Sequence, residues 1–279
     1  SGDLHLGNLR TALLAWLCAK STGRRFLIRV EDLDQQRCKP EYEATQLADL
    51  AALGLESEGP IVRQSERLDL YHRALDNLQD EGLIYECYCT RREILEAASA
   101  PHQRPGAYPG TCRNLSDVER NQRRRERPPA LRLRTEATTW TINDVLHGPV
   151  TAELDDLVVC RNDGTPAYNL AVVLDDAWQE IGQVVRGDDL LFVSPVQAHL
   201  ADVLGVRVPE YVHVPLALNP EGKRLAKRDG AVTLRDLPTA TAWRLIVDSL
   251  GLTGDTPAEV LQSFSANDLP REPWIVNAA

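Results

Sequence analysis

A histidine between glycines stands at the start of the chain, directly before a run of good helix formers. Gly2, His5 and Gly7 precede a helical pattern that begins near Leu9 and ends at Gly23. A helix N-terminus attracts phosphate through its free N–H groups and its dipole, and glycines permit close approach. These residues therefore predict a phosphate-binding turn, although a capped helix with a surface histidine fits them as well.

The next segment predicts a strand that ends in carboxylates. Phe26–Val30 is an apolar run, and Glu31 and Asp34 follow it. Ligands of open α/β sheets bind at the carboxyl ends of strands, so these two acids are candidates to hold an amine or a ribose. A solvated acidic turn is the alternative.

Two further apolar runs end in charged residues. Leu170–Leu174 predicts a buried strand that is preceded by Tyr168 and followed by two aspartates. Val184–Val185 predicts another strand, which ends in Arg186. An arginine fork suits a carboxylate ligand, and a structural Arg–Asp pair is the alternative.

A basic loop completes the set of candidate segments. Pro220 and Gly222 mark a turn before the cationic run Lys223-Arg224-Leu225-Ala226-Lys227-Arg228. Mobile cations can follow a phosphoryl group as charge builds on it. Alone, this is an ordinary basic surface loop. If it meets His5 across one site, the two segments can hold a triphosphate from both ends.

Composition restricts the class of protein. The chain has 279 residues, 43% of them hydrophobic, and a net charge of −10, so it can bury a core but is not a general nucleic-acid binder. Its apolar runs are too short to span a membrane, and six irregularly spaced cysteines favour the reducing cytoplasm. Residues 113–134 are the exception, because eight arginines and three acids there predict either an RNA backbone contact or a solvated basic face.

The pattern of the whole chain is that of an α/β domain with an insertion. Cysteines, prolines and an arginine run separate the two halves of a Rossmann-like domain, and a helical region follows the basic loop. The predicted first half, insertion, second half and C-terminal part are residues 1–85, 86–165, 166–215 and 216–279. The local patterns predict helices near 41–53, near 66–81 with Ser65 as N-cap, and at Ala242–Leu250, and an alternating strand at Ala130–Arg134.

Five segments, in their order along the chain, together resemble the class I aminoacyl-tRNA synthetases. His5-Leu6-Gly7-Asn8 and Arg224-Leu225-Ala226-Lys227-Arg228 are similar to the two signature motifs of the class. Arg29–Asp34, Tyr168–Asp176 and Arg186–Leu190 are similar to its glutamyl subgroup. The resemblance extends from residue 1 to about residue 235. It implies a Rossmann-like catalytic domain that activates L-glutamate with ATP and Mg²⁺ and transfers it to RNA.

The resemblance also implies roles for individual residues. His5 and Lys227 are the expected catalytic residues, and the expected ATP contacts are His5, Gly7, Asn8, Arg224 and Lys227. The expected glutamate contacts are Ser1, Glu31, Tyr168 and Arg186, with Glu31 on the amino group and Arg186 on a carboxylate.

The chain departs from the family pattern in two places. Arg224 and Ala226 stand where a lysine and a serine are usual, so Lys223 is an alternative first cation of the loop. The family carries an arginine and a serine on a strand before the first motif, and this chain begins at Ser1. We therefore expect that an enzyme starting here binds glutamate poorly.

Two features resemble a shortened branch of the glutamyl subgroup. About 45 residues follow the basic loop, whereas glutamyl-tRNA synthetases continue with a large anticodon-binding region. The spacing of Cys87, Cys89, Tyr108 and Cys112 is similar to the zinc site of this branch, which implies one structural Zn²⁺. From the spacing alone, reduced cysteines in a loop-rich insert are the alternative. His102 is the rival fourth ligand.

Enzymes of this branch transfer glutamate to queuosine in the anticodon of tRNA(Asp), after activation without tRNA. The resemblance thus implies ATP, glutamate and tRNA as partners, with tRNA(Asp) favoured, and neither DNA nor a membrane. Three alternatives remain open. They are a truncated glutamyl-tRNA synthetase that charges the 3′ end of tRNA(Glu), an inactive paralogue that only binds RNA or zinc, and another nucleotidyl transferase of the same fold.

Overall fold

The computed structural model describes residues 2–98, 107–225 and 232–276. The helices are α1 Leu6–Ser21, α2 Pro40–Ala52, α3 Leu68–Asp80, α4 Arg91–Ala98, α5 Asp117–Glu126, α6 Tyr168–Trp178, α7 Ser194–Val203, α8 Thr239–Asp248 and α9 Pro257–Ser263. The strands are β1 Arg29–Val30, β2 Val62–Arg63, β3 Ile84–Cys87, β4 Ala130–Leu133, β5 Thr139–Asp144, β6 Gly148–Glu153, β7 Val158–Cys160, β8 Gln183–Gly187, β9 Glu210–Val214, β10 Ala217–Leu218 and β11 Trp274–Ile275. None of the helices in these ranges has the length and apolar character that a membrane span requires.

The strands form four small sheets. Strands β8 and β9 are parallel, and the hairpin of β5 and β6 extends their sheet because β5 pairs in parallel with β9. Strands β1 and β2 form a parallel pair, as do β10 and β11. Strands β3, β4 and β7 form an antiparallel sheet. Parallel strands that alternate with helices confirm the predicted α/β class.

Helix α1 is buried on two sides. Four fully buried leucines pack against α8 and α9: Leu6, Leu9, Leu13 and Leu17. On the opposite side, Leu14 and Cys18 pack against strand β9. Each fully buried leucine side chain stabilises the fold by about 1.5–3 kcal/mol. This packing holds the N-terminus of α1 in a fixed place, and the candidate site is built around that end of the helix.

A buried carboxylate ties helix α6 to the neighbouring elements. Asp175, which is fully buried, accepts hydrogen bonds from Gln64 at 3.0 Å, from Arg67 at 2.8 Å and from Tyr71 at 2.8 Å. The Nε atom of Arg29 lies 3.8 Å from the same carboxylate. Both arginines are mostly buried. Asp175 supplies the negative charge that the desolvated Arg67 requires, and Arg29 has Asp176 as its nearer partner at 2.8 Å.

Two predicted strands differ from the structure. Leu170–Leu174 lies within helix α6, because the apolar run is part of an eleven-residue element, and a run of this kind is compatible with both periodicities. Of the predicted strand Phe26–Val30, only β1 is formed. The backbone N–H groups of Phe26 and Ile28 donate to the side chains of Glu58 and Ser57 instead of a neighbouring strand.

The starts of two helices also differ from the prediction. Ser65 does not cap α3, because its N–H and hydroxyl both donate to Asp32, and a 3₁₀ turn at Gln64–Arg67 precedes the helix. Helix α1 begins at Leu6, so Gly7 lies in its first turn and not before it. The other predicted elements are confirmed: α2, α8, β4 and β8.

The predicted insertion shares a sheet with the rest of the chain. Strands β3, β4 and β7 form a separate sheet in this region, but β3 already begins at Ile84. The hairpin of residues 139–153 joins β9. The boundary at 86 falls inside β3, and the division of the chain into four parts remains a prediction.

We predict that Asp175→Ala lowers the free energy of unfolding by about 3–5 kcal/mol, because it leaves the buried Arg67 without its carboxylate and Tyr71 and Gln64 without their acceptor. Urea denaturation followed by circular dichroism measures the change. Asp76→Ala, on the exposed face of α3, is the control and should stay within about 0.5 kcal/mol of the parent. A loss below about 1 kcal/mol in Asp175→Ala contradicts the importance assigned to this carboxylate.

Candidate active site

His5 caps helix α1 with its imidazole ring. The Nδ1 atom accepts a hydrogen bond from the backbone N–H of Asn8 at 3.3 Å, and Asn8 Oδ1 accepts one from the backbone N–H of His5 at 3.2 Å. A ring nitrogen that accepts a hydrogen bond carries no proton. Burial, and then the charge of Arg224, lower the pKa of His5. The neutral ring therefore holds its proton on Nε2, which is the donor that remains for a ligand.

Gly7 allows helix α1 to approach strand β10. A Cβ atom at this position would lie 2.7 Å from the Cβ of Ala217 and 3.1 Å from the ring of His5. Side chains do not tolerate such distances, so glycine is required here for the packing of helix on strand. The predicted contacts of Gly7 and Asn8 with a phosphate remain predictions.

The residues after the basic loop lie beside His5. The backbone N–H of Leu6 donates to the carbonyl of Val232 at 3.0 Å, and His5 forms an antiparallel bridge with Thr233. The structure thus places the residues that follow the loop beside His5, although they are far apart in the sequence. The expected meeting of His5 with Lys227 remains a prediction. Lys227 itself lies outside the described residues.

The residues before the basic loop lie on the same site. Arg224 forms a backbone bridge with Leu218, and its guanidinium donates to Asp189 Oδ2 at 2.5 Å. Its charge is close enough to His5 to lower the pKa of the imidazole. Lys223 is exposed. Arg224 is exposed as well, and which of the two residues is the first cation of the loop remains a prediction.

Carboxylates are concentrated at the end of strand β1. Glu31 pairs with Arg29 at 3.4 Å, and Asp176 accepts a hydrogen bond from Arg29 at 2.8 Å. Burial raises the pKa of both carboxyl groups, although Arg29 opposes this effect. These groups line a cavity of about 660 Å³ between α1, β1 and β8. A cationic ligand group would relieve the crowding of negative charge. Asp34, the other predicted carboxylate, pairs with Arg37.

Tyr168 lies between negative and positive groups. Burial and the charge of Glu31 raise the pKa of its phenol, whereas Arg186 lowers it. Hydrogen bonds connect both charged groups to the helix that Tyr168 begins: Glu31 pairs with Arg29, which donates to Asp176 of α6, and Arg186 donates to Gln197, which donates to Asn169 of α6. That Glu31, Tyr168 and Arg186 together contact an amino acid remains a prediction. Ser1 lies outside the described residues.

Arg186 is held by residues that the sequence analysis missed. Its Nε donates to His213 Nε2 at 3.1 Å, and its Nη2 donates to Ser194 Oγ at 2.5 Å and to Gln197 Oε1 at 2.8 Å. His213 in turn contacts Asp144, at 2.8 Å from Nδ1 to Oδ2. One signal was available, because a histidine inside the apolar run of strand β9 is a polar residue at a buried position.

Three thiols and a phenol meet at the end of strand β3. The sulfur atoms of Cys87, Cys89 and Cys112 lie within 4.8 Å of one another. The Tyr108 hydroxyl lies 3.3 Å from Cys87 Sγ and accepts a hydrogen bond from the Cys112 N–H at 2.9 Å. The three thiols are able to hold a metal ion. His102 lies outside the described residues.

Many arginines of residues 113–134 are bound to acids of this chain. Arg124 makes a two-pronged contact with Glu86, at 2.8–3.0 Å, and Arg113 pairs with Asp156 at 2.6 Å. These pairs neutralise part of the local positive charge. The predicted RNA contact of this segment therefore remains a prediction, with a weaker electrostatic basis than the sequence suggests.

Comparison with known proteins identifies relatives over the whole chain. The family described as tRNA synthetases class I (E and Q), catalytic domain, matches residues 1–271. Glutamyl-Q tRNA(Asp) synthetase of Nocardia farcinica is 59% identical over 99% of this chain and 90% of the relative. The protein of that name from Symbiobacterium thermophilum is 44% identical over 98% of this chain and 92% of the relative.

Solved structures agree with this comparison. The glutamate-tRNA synthetase of Elizabethkingia anophelis superposes with a TM-score of 0.82 at 27% identity. The match covers 100% of this chain and 66% of that one, so the chain spans just under two thirds of the solved enzyme.

The fold and the site together define a class I aminoacyl-tRNA synthetase catalytic domain. Its marks are the N-terminus of α1 capped by His5, the flank of the basic loop beside it and the charged residues at the strand ends. Within that class, the chain belongs to the glutamyl-Q tRNA(Asp) synthetase family. The resemblance stated from the sequence is confirmed.

We predict that Gly7→Ala lowers the free energy of unfolding by about 1–3 kcal/mol, since the new methyl group overlaps Ala217 and overpacked positions cost this much. Thermal and urea denaturation measure the loss. Gly182→Ala is the matched control, because a Cβ there would meet its nearest neighbour, Arg24 Nε, at an ordinary 3.9 Å. Equal stability of the two variants would show that α1 and β10 can separate without cost.

Proposed function

We propose that this protein activates glutamate with ATP in the absence of tRNA and transfers the glutamyl group to queuosine in the anticodon of tRNA(Asp). The relatives at 59% and 44% identity carry the name of this activity and match the chain over nearly their whole length. The structural observation that supports the proposal is that helix α6, which begins at Tyr168, is tied by hydrogen bonds to the Glu31 end of β1, through Arg29 and Asp176, and to Arg186, through Gln197 and Asn169.

The charges of the site fit an amino acid with a second carboxylate. Glu31 and Asp176 have pKa values raised by burial, so an ammonium group that binds beside them gains more than it would in water. The Arg186 guanidinium is suited to one carboxylate through a charge-assisted hydrogen bond. Glutamate has two carboxylates, and the α-carboxylate remains for the reaction.

The triphosphate is bound from the two segments that meet at His5. The Nε2–H of His5 and the backbone N–H of Gly7 donate to phosphate oxygens. Asn8 contributes through its side-chain NH₂ group, because its backbone N–H donates to His5 in the helix cap. Arg224 and Lys227 neutralise the phosphates from the loop, and Mg²⁺ that accompanies ATP adds to this neutralisation.

The reaction proceeds in two steps. An oxygen of the α-carboxylate attacks the α-phosphorus of ATP, the bond to the β-phosphate breaks, and pyrophosphate leaves. A queuosine hydroxyl then attacks the carbonyl carbon of glutamyl-adenylate, which releases AMP and the hydroxyl proton. Positioning and charge neutralisation supply most of the catalysis.

ATP–pyrophosphate exchange and mass spectrometry test this proposal. Exchange should require glutamate and proceed without tRNA, and labelled glutamate should appear on queuosine of tRNA(Asp). Exchange that needs tRNA(Glu), with label at the 3′ end, would instead identify a glutamyl-tRNA synthetase. Exchange with another carboxylate substrate would indicate a different transferase, and absent exchange would indicate an inactive paralogue.

We predict that Lys227→Ala slows glutamate-dependent exchange by about 10²–10³-fold, because its ammonium stabilises charge that builds up during phosphoryl transfer. Initial rates at saturating ATP and glutamate measure the loss. Lys223→Ala is the matched control in the same loop and should retain most of the rate. A larger loss in Lys223→Ala than in Lys227→Ala would reverse the two assignments.

One structural zinc ion is held by Cys87, Cys89, Cys112 and Tyr108. Sulfur ligands of a tetrahedral zinc with 2.3 Å bonds are separated by about 3.8 Å, and Cys89 and Cys112 have their sulfur atoms 3.5 Å apart. Burial raises the pKa of the Tyr108 phenol, and a cation opposes this shift. The guanidinium of Arg132 already lies 3.7 Å from the centre of the phenol ring.

We predict that the protein purified without added zinc contains one zinc ion per chain and that a chelator lowers its melting temperature, since binding energy of a structural zinc is folding energy. Elemental analysis and thermal denaturation measure both effects. Cys112→Ser should lose zinc, and Cys160→Ser, which alters a buried thiol outside the cluster, should keep it. If Tyr108→Phe retains zinc and His102→Ala loses it, the fourth zinc ligand is His102 and not Tyr108.

A further inference from the structure

A line of polar side chains crosses three neighbouring strands behind the site. Asp144 ends strand β5, His213 lies in β9 and Arg186 in β8, and His213 and Arg186 are paired in the register of the sheet. Asp144 is 1% exposed and His213 is 0% exposed. A polar pair this deeply buried is costly unless its hydrogen bonds are complete.

The carboxylate determines which nitrogen of His213 carries the proton. Asp144 Oδ2 accepts hydrogen bonds from the backbone N–H of His213 at 3.0 Å and from its Nδ1 at 2.8 Å. Asp144 Oδ1 accepts from the backbone N–H groups of Leu146 and His147. Burial raises the pKa of Asp144, but these hydrogen bonds outweigh it and the net pKa is lowered. His213 Nδ1 is thus a donor.

The opposite nitrogen of His213 faces Arg186. Because Nδ1 carries the proton, the Nε2 of a neutral ring is an acceptor, and it receives the Arg186 Nε–H at 3.1 Å. The two N–H groups of Nη2 go to Ser194 and Gln197. Nη1 makes no hydrogen bond within the described residues, so its two N–H groups are the ones available to a ligand. Every other donor of the guanidinium is bound by the protein.

We propose that Asp144 and His213 are positioning residues that fix the plane of the Arg186 guanidinium, so that Nη1 is presented to a carboxylate of glutamate. The inference rests on the proposed function and deepens it, because it assigns part of the substrate selectivity to residues that do not touch the substrate. Without the Nε acceptor, the guanidinium is held only at Nη2, by Ser194 and Gln197, and can pivot about that end. Binding must then include the cost of ordering Nη1.

Steady-state exchange kinetics with glutamate as the varied substrate test the inference. His213→Phe keeps a ring beside Tyr211 but removes the acceptor, and it should raise the KM for glutamate roughly 10–100-fold, the range for a lost hydrogen bond to a charged group. Its KM for ATP should change less than about twofold. His213→Gln retains both an acceptor and a donor and should recover most of the affinity.

Asp144→Asn provides an independent variant in case His213→Phe folds poorly. The NH₂ group of the asparagine faces either the backbone N–H groups of Leu146 and His147 or the two donors of His213. In the second orientation, the ring proton of His213 is favoured on Nε2. This tautomer cannot accept the hydrogen bond from Arg186. We expect an increased KM for glutamate here too. His199→Phe is the matched control, because His199 is 8% exposed and packs against Trp140, and its KM for glutamate should be unchanged.

Two outcomes overturn the inference, and they are distinguishable. If the parent protein exchanges normally and both His213→Phe and Asp144→Asn are folded with an unchanged KM for glutamate, the positioning role is wrong and the proposed function stands. If calorimetry detects no binding of glutamate to the parent and no exchange is found, the proposed function fails and this inference fails with it. An increased KM that His213→Gln reverses supports the role, since a purely structural defect would not be rescued in this way.

Discussion

The candidate site depends on one buried carboxylate. Asp175 neutralises Arg67 and lies near Arg29, and through these arginines it connects helix α6 with strand β1 and helix α3. Tyr168 begins the same helix, and Glu31 follows the same strand. Because a desolvated arginine without a partner is strongly unfavourable, these elements cannot shift independently. The distance between the Tyr168 phenol and the Glu31 carboxylate thus depends on the ion cluster around Asp175.

Hydrogen bonding and charge neutralisation are supplied by different residues at the end of the site proposed to bind phosphate. The Nδ1 atom of His5 accepts the hydrogen bond that caps α1, and burial together with the charge of Arg224 lowers the pKa of the ring. His5 therefore acts as a neutral hydrogen-bond donor and supplies no net charge. Neutralisation of a triphosphate has to come from cations elsewhere, and the basic loop, whose flanks adjoin His5, carries them.

Local sequence signals were sufficient for the parts of the site that lie at the ends of elements. The N-terminus of α1 and Arg186 at the end of β8 are of this kind, because short-range patterns mark where helices and strands stop. For Leu170–Leu174 the sequence predicts a strand and the structure has a helix, because a run of consecutive apolar residues fits the periodicity of either element. Asp144 and His213 were missed for another reason, since they are distant in sequence and their pairing follows from sheet register.

The basic loop is held at both ends, but unequally. Arg235, after the loop, pairs with the buried Asp49 of α2, whereas Arg224, before it, pairs with Asp189 while its own side chain is 61% exposed. An exposed ion pair contributes about 0–1 kcal/mol, and a triphosphate offers several negative charges in its place. Arg224 can therefore exchange Asp189 for a phosphate at little cost. Asp189 follows Arg186 by three residues, so the pair of Arg224 and Asp189 lies next to the end of strand β8.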